Sequence, residues 1–423
     1  MTQDFRKYTR RDALAAISAG VVLTGCGGKN VEPAAAPTSV SDVPLRVLWV
    51  GEENDVDAVT RAWRAVMSQP LKMNVVPLDR SNPGGLLDAI ASRVKKNDLL
   101  VVPTLAITSL MDSDSITPLN KDEVRATSES LGRLFQSVRN GATVHDGETV
   151  GFPIGAKMPA LLTVDEAGPL ASWQDYHQWV QDDLNGEAAE PLSAGWAGMM
   201  YLWRAASSVK EAWLFGPSRV LPVINTQPYI DVLAQMLATK KIYKGDRKSP
   251  QQIWTQLKTS KLRGGIGFPV ENVDGEVEVN TSNLPGGPVQ NRVVVDCFAP
   301  VVALSAGCRQ SDASKQFMNW LSGGDGSEPL RGQVPRLTVT RSAIGSSQDS
   351  RKQSGSGYDQ WLTNRLSNSP QLSTLNIGGA DQHYAVLDTQ IGDCLDGKTE
   401  PAAALENVAR AWGKLQQEAG KER

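Results

Sequence analysis

Short apolar runs alternate with amphipathic stretches over residues 45–102. Buried strands are predicted at Leu45–Val50, Met73–Pro77 and Leu99–Val102, which are short and mainly apolar. Helices are predicted between them, at Asp55–Val66 and Leu86–Val94, where apolar side chains recur at helical spacing. Strands and helices that alternate at this spacing form parallel βαβ units, with a sheet buried on both faces. The fold class expected from this part of the chain is therefore α/β.

The pattern after residue 140 predicts a hairpin, a second group of helices and a helical end. The hairpin is expected at Thr143–Pro153, and a second lobe is expected to begin near Lys157. The remaining predicted elements are helices at Trp173–Val180, Gly195–Ser207, Thr226–Ala238, Pro250–Leu257, Ser311–Leu321, Asp381–Cys394 and Ala402–Gln417, strands at Gly264–Phe268 and Arg292–Leu304, a turn at Val273–Gly275 and a loop at Ser342–Gly357.

The first 44 residues have the charge order of an export signal followed by a tether. Arg10 and Arg11 lie near a basic start, and the uncharged stretch Ala13–Gly25 is too short to span a bilayer. Thr9–Leu14 resembles the twin-arginine export motif, although Sec export stays open. Leu23-Thr24-Gly25-Cys26 resembles a lipoprotein cleavage box, which implies a signal peptide at 1–25 and a lipid on Cys26. The alternative is a chance cysteine after an apolar run. Residues 26–44, rich in Ala, Pro, Ser and Thr, are expected to form a flexible tether.

Length, charge and cysteine content narrow the function classes. The chain has 423 residues, which favours two domains, and its net charge of −3 argues against nucleic-acid binding. No segment of the chain after the signal region is long and apolar enough to span a membrane. Cys394 lies on an apolar helical stripe and is expected to be a buried free thiol, whereas Cys297 and Cys308 could pair in an exported protein.

Motifs typical of enzymes are missing from the sequence. Three histidines, with no His-Glu-x-x-His or Cys-x-x-Cys motif, do not supply the ligands of a zinc enzyme. No Gly-x-Ser-x-Gly elbow, P-loop or dinucleotide fingerprint is present. Carboxylates are numerous, so a glycosidase pair stays open, but no pair is marked by its surroundings.

Several segments resemble, in order, one family of binding proteins. Asp146–Pro153 is similar to that family's "DGK-x-YGLP" hairpin, and Ser172–Tyr176 to its "TWDEF" helix start. Ile116–Asn120, Ala313–Leu321 and the C-terminal helices also match family patterns, with Asn120 where the family has Asp. The family is that of the extracellular solute-binding proteins of ABC importers (family 1), which includes maltose-binding protein.

The resemblance implies a fold, a function and a set of partners. The implied fold is the two-lobed, type II periplasmic-binding-protein fold, with a ligand cleft between the lobes. The expected lobes are 45–155 with about 303–330, and 156–302 with about 331–423. The implied protein is a monomer, takes no cofactor, and is exported and lipid-anchored, facing the periplasm or the exterior. Its implied partners are a small solute, most of all a sugar or oligosaccharide, the ABC permease and ATPase subunits, and the membrane through the lipid on Cys26.

Candidate ligand contacts in the first lobe lie where strands end. Glu52 and Glu53 follow the first strand, where the family often places polar contacts; the alternative is a solvated helix start, which carboxylates also suit. Thr104 follows the third strand and is expected at the rim of the same cleft, unless it belongs to an ordinary strand-end turn.

Candidates in the second lobe are mainly aromatic, as sugar sites require. Lys157 follows the hairpin where the family contacts ligand, although a surface lysine would fit as well. Trp196 and Trp203 lie seven residues apart, so they form either a stacking wall or part of the core. Phe268 and Phe298 lie near second-lobe strands, and core packing is their alternative.

His383 completes the set of candidates, and two rival functions stay open. His383 precedes Tyr384, where the family often has an aromatic contact, but a lone histidine can also be structural. The main hypothesis is a binding protein that closes on a solute. The rivals are a lipid-anchored enzyme that acts on glycans and a binder of a non-sugar solute.

Overall fold

A computed structural model describes residues 42–421 except for 146, 166–167, 169, 211, 216–220, 271–276, 287–291, 324–325, 327–328, 339, 343–356, 370, 373–374 and 376. The predicted signal peptide, Cys26 and the tether up to residue 41 lie outside the described residues. So do the turn at 273–275, most of the loop at 342–357 and the hairpin residue Asp146. Within the described residues, no helix has both the length and the apolar character that crossing a membrane requires.

The described chain combines many short strands with helices. The strands are β1 (Leu45–Val50), β2 (Leu71–Val76), β3 (Leu99–Pro103), β4 (Ile116–Thr117), β5 (Val144–His145), β6 (Glu148–Thr149), β7 (Phe152–Pro153), β8 (Ala160–Thr163), β9 (Ala188–Ala189), β10 (Gly264–Gly267), β11 (Asn280–Ser282), β12 (Val293–Val294), β13 (Pro300–Ser305) and β14 (Gln371–Leu372). The helices are α1 (Glu53–Val66), α2 (Pro83–Ala91), α3 (Ile107–Asp112), α4 (Lys121–Leu131), α5 (Gln136–Ala142), α6 (Trp173–Gln178), α7 (Ala197–Ser208), α8 (Gln227–Ile242), α9 (Pro250–Lys258), α10 (Ser311–Ser322), α11 (Gly357–Asn368), α12 (Ala380–Leu395) and α13 (Pro401–Lys421). A π-helical turn, Trp179–Asp183, extends α6.

Two separate sheets organise the chain. The first has six strands in the order β2-β1-β3-β13-β4, with β7 also paired to β13, and we call it and the helices packed on it the first lobe. The second has four strands in the order β11-β8-β10-β9. We call this sheet, the helix α9 that packs on β10, and the helices α7, α8, α12 and α13 that pack on one another the second lobe.

The strand pairing confirms the predicted βαβ units. β1 pairs in parallel with both β2 and β3, and the bounds of β1 are those that the apolar pattern predicts. Side chains of β1 alternate between two hydrophobic cores: Val47 and Trp49 face α1 and α10, while Leu48 and Val50 face α2. The core on the α2 side continues into the second lobe.

Three chain segments cross between the lobes side by side. Ile154 donates its backbone N–H to Pro300, at 3.0 Å, and Thr338 donates its own to Ile154, at 3.2 Å. The Oγ1 of Thr338 also accepts the N–H of Ala156 at 2.8 Å. Gly155 is required here, because a Cβ on it would lie 2.0 Å from the carbonyl oxygen of Arg336.

Two predictions about the second half of the chain need correction. The predicted strand Arg292–Leu304 is broken into β12 and β13. A turn interrupts it, because the backbone oxygen of Asp296 accepts the N–H of Ala299 at 2.9 Å and its carboxylate accepts that of Phe298 at 3.1 Å. The stretch after residue 331, expected in the second lobe, begins in the first: Val334 and Leu337 pack in the α1 side of the core.

Other differences concern short elements and cysteines. The apolar pattern did not predict α3, α4, α5 or α11, which are short or only weakly periodic. Cys394 is a buried free thiol, as predicted. Cys297 and Cys308 are also free, so the pairing considered for them is not formed.

Candidate functional site

Arg80 lies at the centre of a group of side chains from both lobes. It follows β2, and its two terminal nitrogens bind the Asp296 carboxylate at 2.8 and 2.9 Å. Its guanidinium carbon lies 3.5 Å from the ring centroid of Trp196 and 4.2 Å from that of Phe298. Its Nε donates to the carbonyl of Gly195 at 3.1 Å. One cation therefore joins a carboxylate, two aromatic faces and a backbone carbonyl. We call Arg80 and these contacts the Arg80 cluster.

The ion pair in this cluster is buried. The side chain of Arg80 is 9 % exposed and that of Asp296 is 12 % exposed. Burial alone would lower the pKa of Arg80, but the charge and hydrogen bonds of Asp296 raise it above its ordinary value. Bidentate, charge-assisted hydrogen bonds of this kind also fix the orientation of both planes.

Helix α12 holds the turn that precedes Trp196. The Asp388 carboxylate accepts the backbone N–H groups of Gly195, at 2.7 Å, and Gly198, at 2.9 Å, at the start of α7. Tyr384 donates its hydroxyl to the Gly195 carbonyl at 2.8 Å. Burial raises the pKa of Asp388, while the two N–H donors act in the opposite direction. A carboxylate at a helix N-terminus is electrostatically favourable, so it anchors this turn.

A second buried arginine lies at the end of β1. Arg336 donates to the backbone carbonyl of Val50, and the charge of Asp55 lies close by. Burial raises the pKa of Asp55, and the charge of Arg336 opposes that shift. A Cβ on Gly51 would lie 2.6 Å from Nη1 of Arg336 and 2.6 Å from Nε1 of Trp49, so glycine leaves room for this arginine. Nη2 of Arg336 is buried without a hydrogen-bond partner among the described residues.

Lys157 extends the Arg80 cluster from the first crossing segment. Its Nζ donates to the carbonyl of Pro269 and lies 5.4 Å from the ring centroid of Phe268. Burial lowers the pKa of Lys157 to about 7, with Asp359 acting in the opposite direction. Phe268 in turn lies 5.7 Å, centroid to centroid, from Trp196. A continuous path of contacts thus runs from Lys157 to Arg80.

The structure brings together five of the predicted contacts. Lys157, Phe268, Trp196 and Phe298 join the Arg80 cluster through the contacts above. Thr104 supports the turn that carries Asp296, since its Oγ1 lies 2.7 Å from the backbone carbonyl oxygen of Cys297 and 3.2 Å from that of Asp296.

The other four predicted contacts lie elsewhere. Glu52 and Glu53 are exposed at the start of α1, which fits the helix-start alternative. Trp203 is 2 % exposed and donates its Nε1 to the carbonyl of Val294 at 3.0 Å, so it belongs to the core rather than to a stacking wall. His383 is 1 % exposed, lies 2.8 Å from the carbonyl of Gly379 through Nδ1, and packs in the core rather than facing a cleft.

The sequence interpretation missed Arg80, Asp296, Arg336 and Asp388. Arg80 follows the second strand, and the strand-end argument used for Glu52 and Thr104 applies to it equally. Its partner Asp296 lies 216 residues away along the chain, and no local pattern marks that pairing.

Two cavities lie away from the Arg80 cluster. One, of about 180 Å³, lies between α4 and α10 and is lined by Leu119, Glu123, Ala126, Thr127, Phe152, Lys315, Met318 and Asn319. Another, of about 350 Å³, opens on the second lobe and is lined by Ser193, Ala194, Lys240, Gly245, Asp246, Arg247 and Asp396. Neither cavity is lined by a residue of the Arg80 cluster.

Comparisons with solved structures identify the architecture. The maltose-bound MalE3 of T. maritima superposes with a TM-score of 0.67 at 12 % identity, over 88 % of this chain and 99 % of its own. An ABC transporter solute-binding protein from Agrobacterium vitis S4, with bound D-mannitol, gives 0.68 at 15 % identity, over 89 % and 99 %. The chain has the two-lobed fold of ABC-transporter solute-binding proteins.

A third structure agrees with this fold assignment. The cyclic α-maltosyl-1,6-maltose binding protein of Arthrobacter globiformis gives a TM-score of 0.61 at 13 % identity, over 89 % of this chain and 100 % of its own. No family model matches the sequence, and no curated protein matches it either. In the solute-binding fold, the Arg80 cluster occupies the interface between the lobes, beside the three crossing segments.

Proposed function

We propose that this protein is an exported, lipid-anchored solute-binding protein that captures a sugar or oligosaccharide and delivers it to an ABC importer. The observation that carries the proposal is the meeting of aromatic and charged side chains from both lobes around Arg80. A solute that contacts both lobes favours their closed arrangement, which is how such a fold turns binding into a signal for a permease.

The chemistry of the cluster suits a hydroxyl-rich solute. Trp196 is half-buried and offers a ring for the C–H face of a sugar. The unpartnered buried Nη2 of Arg336 would be satisfied by a solute oxygen atom. The three solved structures of the same fold carry maltose or D-mannitol, or are named for a cyclic maltosyl sugar. These neighbours support a carbohydrate or polyol as the solute.

A panel of sugars and polyols, tested by calorimetry with product analysis, examines this function. We expect saturable binding of one solute per chain and full recovery of that solute unchanged. Product formation would favour the rival, an enzyme that acts on glycans, and would contradict the proposal. Binding only to a non-sugar solute would keep the binding role and contradict the carbohydrate assignment.

The lipid anchor has its own test. Metabolic labelling with a fatty acid should mark the wild-type chain and place it in the membrane fraction. Cys26→Ser should remove both the label and the membrane association, whereas Cys308→Ser, a matched change within the folded part, should keep them. Label retained in Cys26→Ser would contradict anchoring at this residue.

A further inference from the structure

The cavity of about 350 Å³ on the second lobe lies where three segments of the chain meet. Ser193 and Ala194 come from the turn before α7, Lys240 comes from the last turn of α8, and residues 245–247 come from the loop that follows α8. Asp396, directly after α12, completes the lining. A volume of this size is within the range of small-molecule pockets, so the cavity has room for a compact ligand.

A narrow cleft continues this cavity and adds further basic side chains. Lys240 and residues 245–247 line both the cavity and the cleft, and Lys244 and Lys248 line the cleft. The stretch 240–248 has five basic residues and one acidic residue, in a chain whose net charge is −3. The concave surface formed by the cavity and the cleft is therefore locally rich in cations.

Two of these cations already have carboxylate partners. Arg247 pairs with Asp396 at 3.3 Å and also donates to the backbone carbonyl of Gly392 at 3.4 Å. Lys244 pairs with Glu187 at 3.1 Å. Because the charges within each pair offset each other, these residues shape the walls without giving the cavity a net charge.

The other two cations, Lys240 and Lys248, have no carboxylate partner among the described residues. Nζ of Lys248 donates to the backbone carbonyl of Asp246 at 3.3 Å. The side chain of Lys240 makes no hydrogen bond or ion pair within the same part of the chain. Both lysines are half-buried, which removes part of the water around each ammonium group. The exposed carboxylate of Asp246 offsets one of these two charges, so a surplus of positive charge faces the cavity.

We propose that this cavity binds a small, water-soluble molecule that carries an oxyanion such as a phosphate group, with Lys240 and Lys248 as the ligands of the oxyanion. Hydrogen bonds from an ammonium group to an oxyanion are charge-assisted and about twice as strong as neutral ones. Ser193 and Asp246 provide partners for hydroxyl groups of the same molecule. We call this the Lys240 site. It shares no lining residue with the Arg80 cluster, so it goes beyond the proposed function and does not rest on it.

Calorimetric titration of the full-length protein with inorganic phosphate, at constant ionic strength, tests the Lys240 site. We expect saturable binding of one phosphate per chain. Lys240→Gln and Lys248→Gln should each raise the Kd about tenfold, the effect of losing a hydrogen bond to a charged group. Lys240→Arg keeps the charge and should keep most of the affinity. The matched control is Lys241→Gln, which removes an exposed neighbour that lines neither the cavity nor the cleft, and it should leave the Kd unchanged.

Three results would overturn the Lys240 site. They are the absence of saturable phosphate binding, equal Kd values for the wild type, Lys240→Gln and Lys248→Gln, and binding to phosphatidylglycerol vesicles without binding of free phosphate, which would assign the surface to a lipid headgroup. An unchanged midpoint of urea unfolding shows that a variant is folded and that its loss of binding is local. The sugar panel reports on the Arg80 cluster instead. A chain that binds phosphate through Lys240 but binds no sugar keeps this site and loses the proposed function.

Discussion

Arg80 and Asp296 form a two-pronged ion pair, at 2.8 and 2.9 Å, between residues that lie 216 positions apart along the chain. The pair is sandwiched against Trp196 and Phe298, which supply aromatic faces at 3.5 and 4.2 Å. This relationship joins the first lobe to a crossing segment and to the second lobe. Substitution of the residues that build or support it should therefore have measurable effects on binding and on stability.

Trp196→Ala should weaken solute binding. Burial of an aromatic side chain contributes about 1.5–3 kcal/mol, so the Kd for the sugar identified in the panel should rise about tenfold or more. Isothermal titration calorimetry measures it. The control is Trp254→Ala, another half-buried tryptophan of the second lobe, on α9. Equal changes in Kd for the two variants would contradict a binding role for Trp196.

Lys157 should make folding stability rise with pH above neutrality. Burial lowers its pKa from 10.5 to about 7. Between these values the unfolded chain binds a proton that the folded chain does not, so the free energy of unfolding increases with pH. The slope is at most about 1.4 kcal/mol per pH unit, and the burial cost is fully present below pH 7. Urea denaturation from pH 6 to pH 10 measures it.

Lys157→Met should remove that part of the pH dependence. Because the methionine does not titrate, the difference in unfolding free energy between wild type and variant should change with pH over this window. Lys72→Met, at an exposed position on β2, is the control and should change nothing. Parallel stability curves for wild type and Lys157→Met would show that Lys157 is charged in the folded protein.

Arg204→Met should destabilise the second lobe. Arg204 and Glu190 form an ion pair with both side chains 1 % exposed, and Tyr243 donates its hydroxyl to the same carboxylate. Removal of one partner from a buried pair costs about 3–5 kcal/mol. Urea denaturation should show a loss of this size, whereas Lys398→Met, which removes an exposed pair with Asp393, should leave the stability close to that of the wild type. A loss below about 1 kcal/mol in Arg204→Met would contradict this expectation.

Gly195→Ala should disturb both stability and the Arg80 cluster. Gly195 has a φ of +78°, and a Cβ would lie 2.7 Å from the Cβ of Arg80. The left-handed backbone costs a residue with a Cβ about 1–2 kcal/mol, and the close approach adds to this. Gly413→Ala on α13 is the control, since a Cβ there meets nothing within 4 Å and alanine favours a helix. A Gly195→Ala variant as stable as the wild type would contradict the tight turn.

The sequence pattern predicted the elements that local chemistry determines. The strand β1 and the helix α9 are nearly as expected, because apolar runs and a Ser249–Gln252 capping box mark them. The prediction of one continuous strand at Arg292–Leu304 was wrong, because a hydrophobic run does not reveal that the aspartate at position 296 will form a turn.

The sequence could not determine which of the candidate site residues are buried in the core. Trp196 directly precedes α7, and Trp203 lies seven residues further on within it. All residues of α7 from Ala197 to Ser207 are buried, so the spacing of the two tryptophans did not separate a cleft residue from a core residue. The burial of His383 could not be predicted either, because the rings that it packs against, those of Phe215 and Trp412, are distant along the chain. Long-range packing decides such cases, and it is read only from the folded chain.

A crystal structure of the protein with a sugar from the panel tests the central claim most directly. We predict electron density for the sugar between the two lobes, in contact with Trp196 or Phe268 and with groups of both lobes. Density for the sugar at a site formed by one lobe alone, away from the Arg80 cluster, would contradict it.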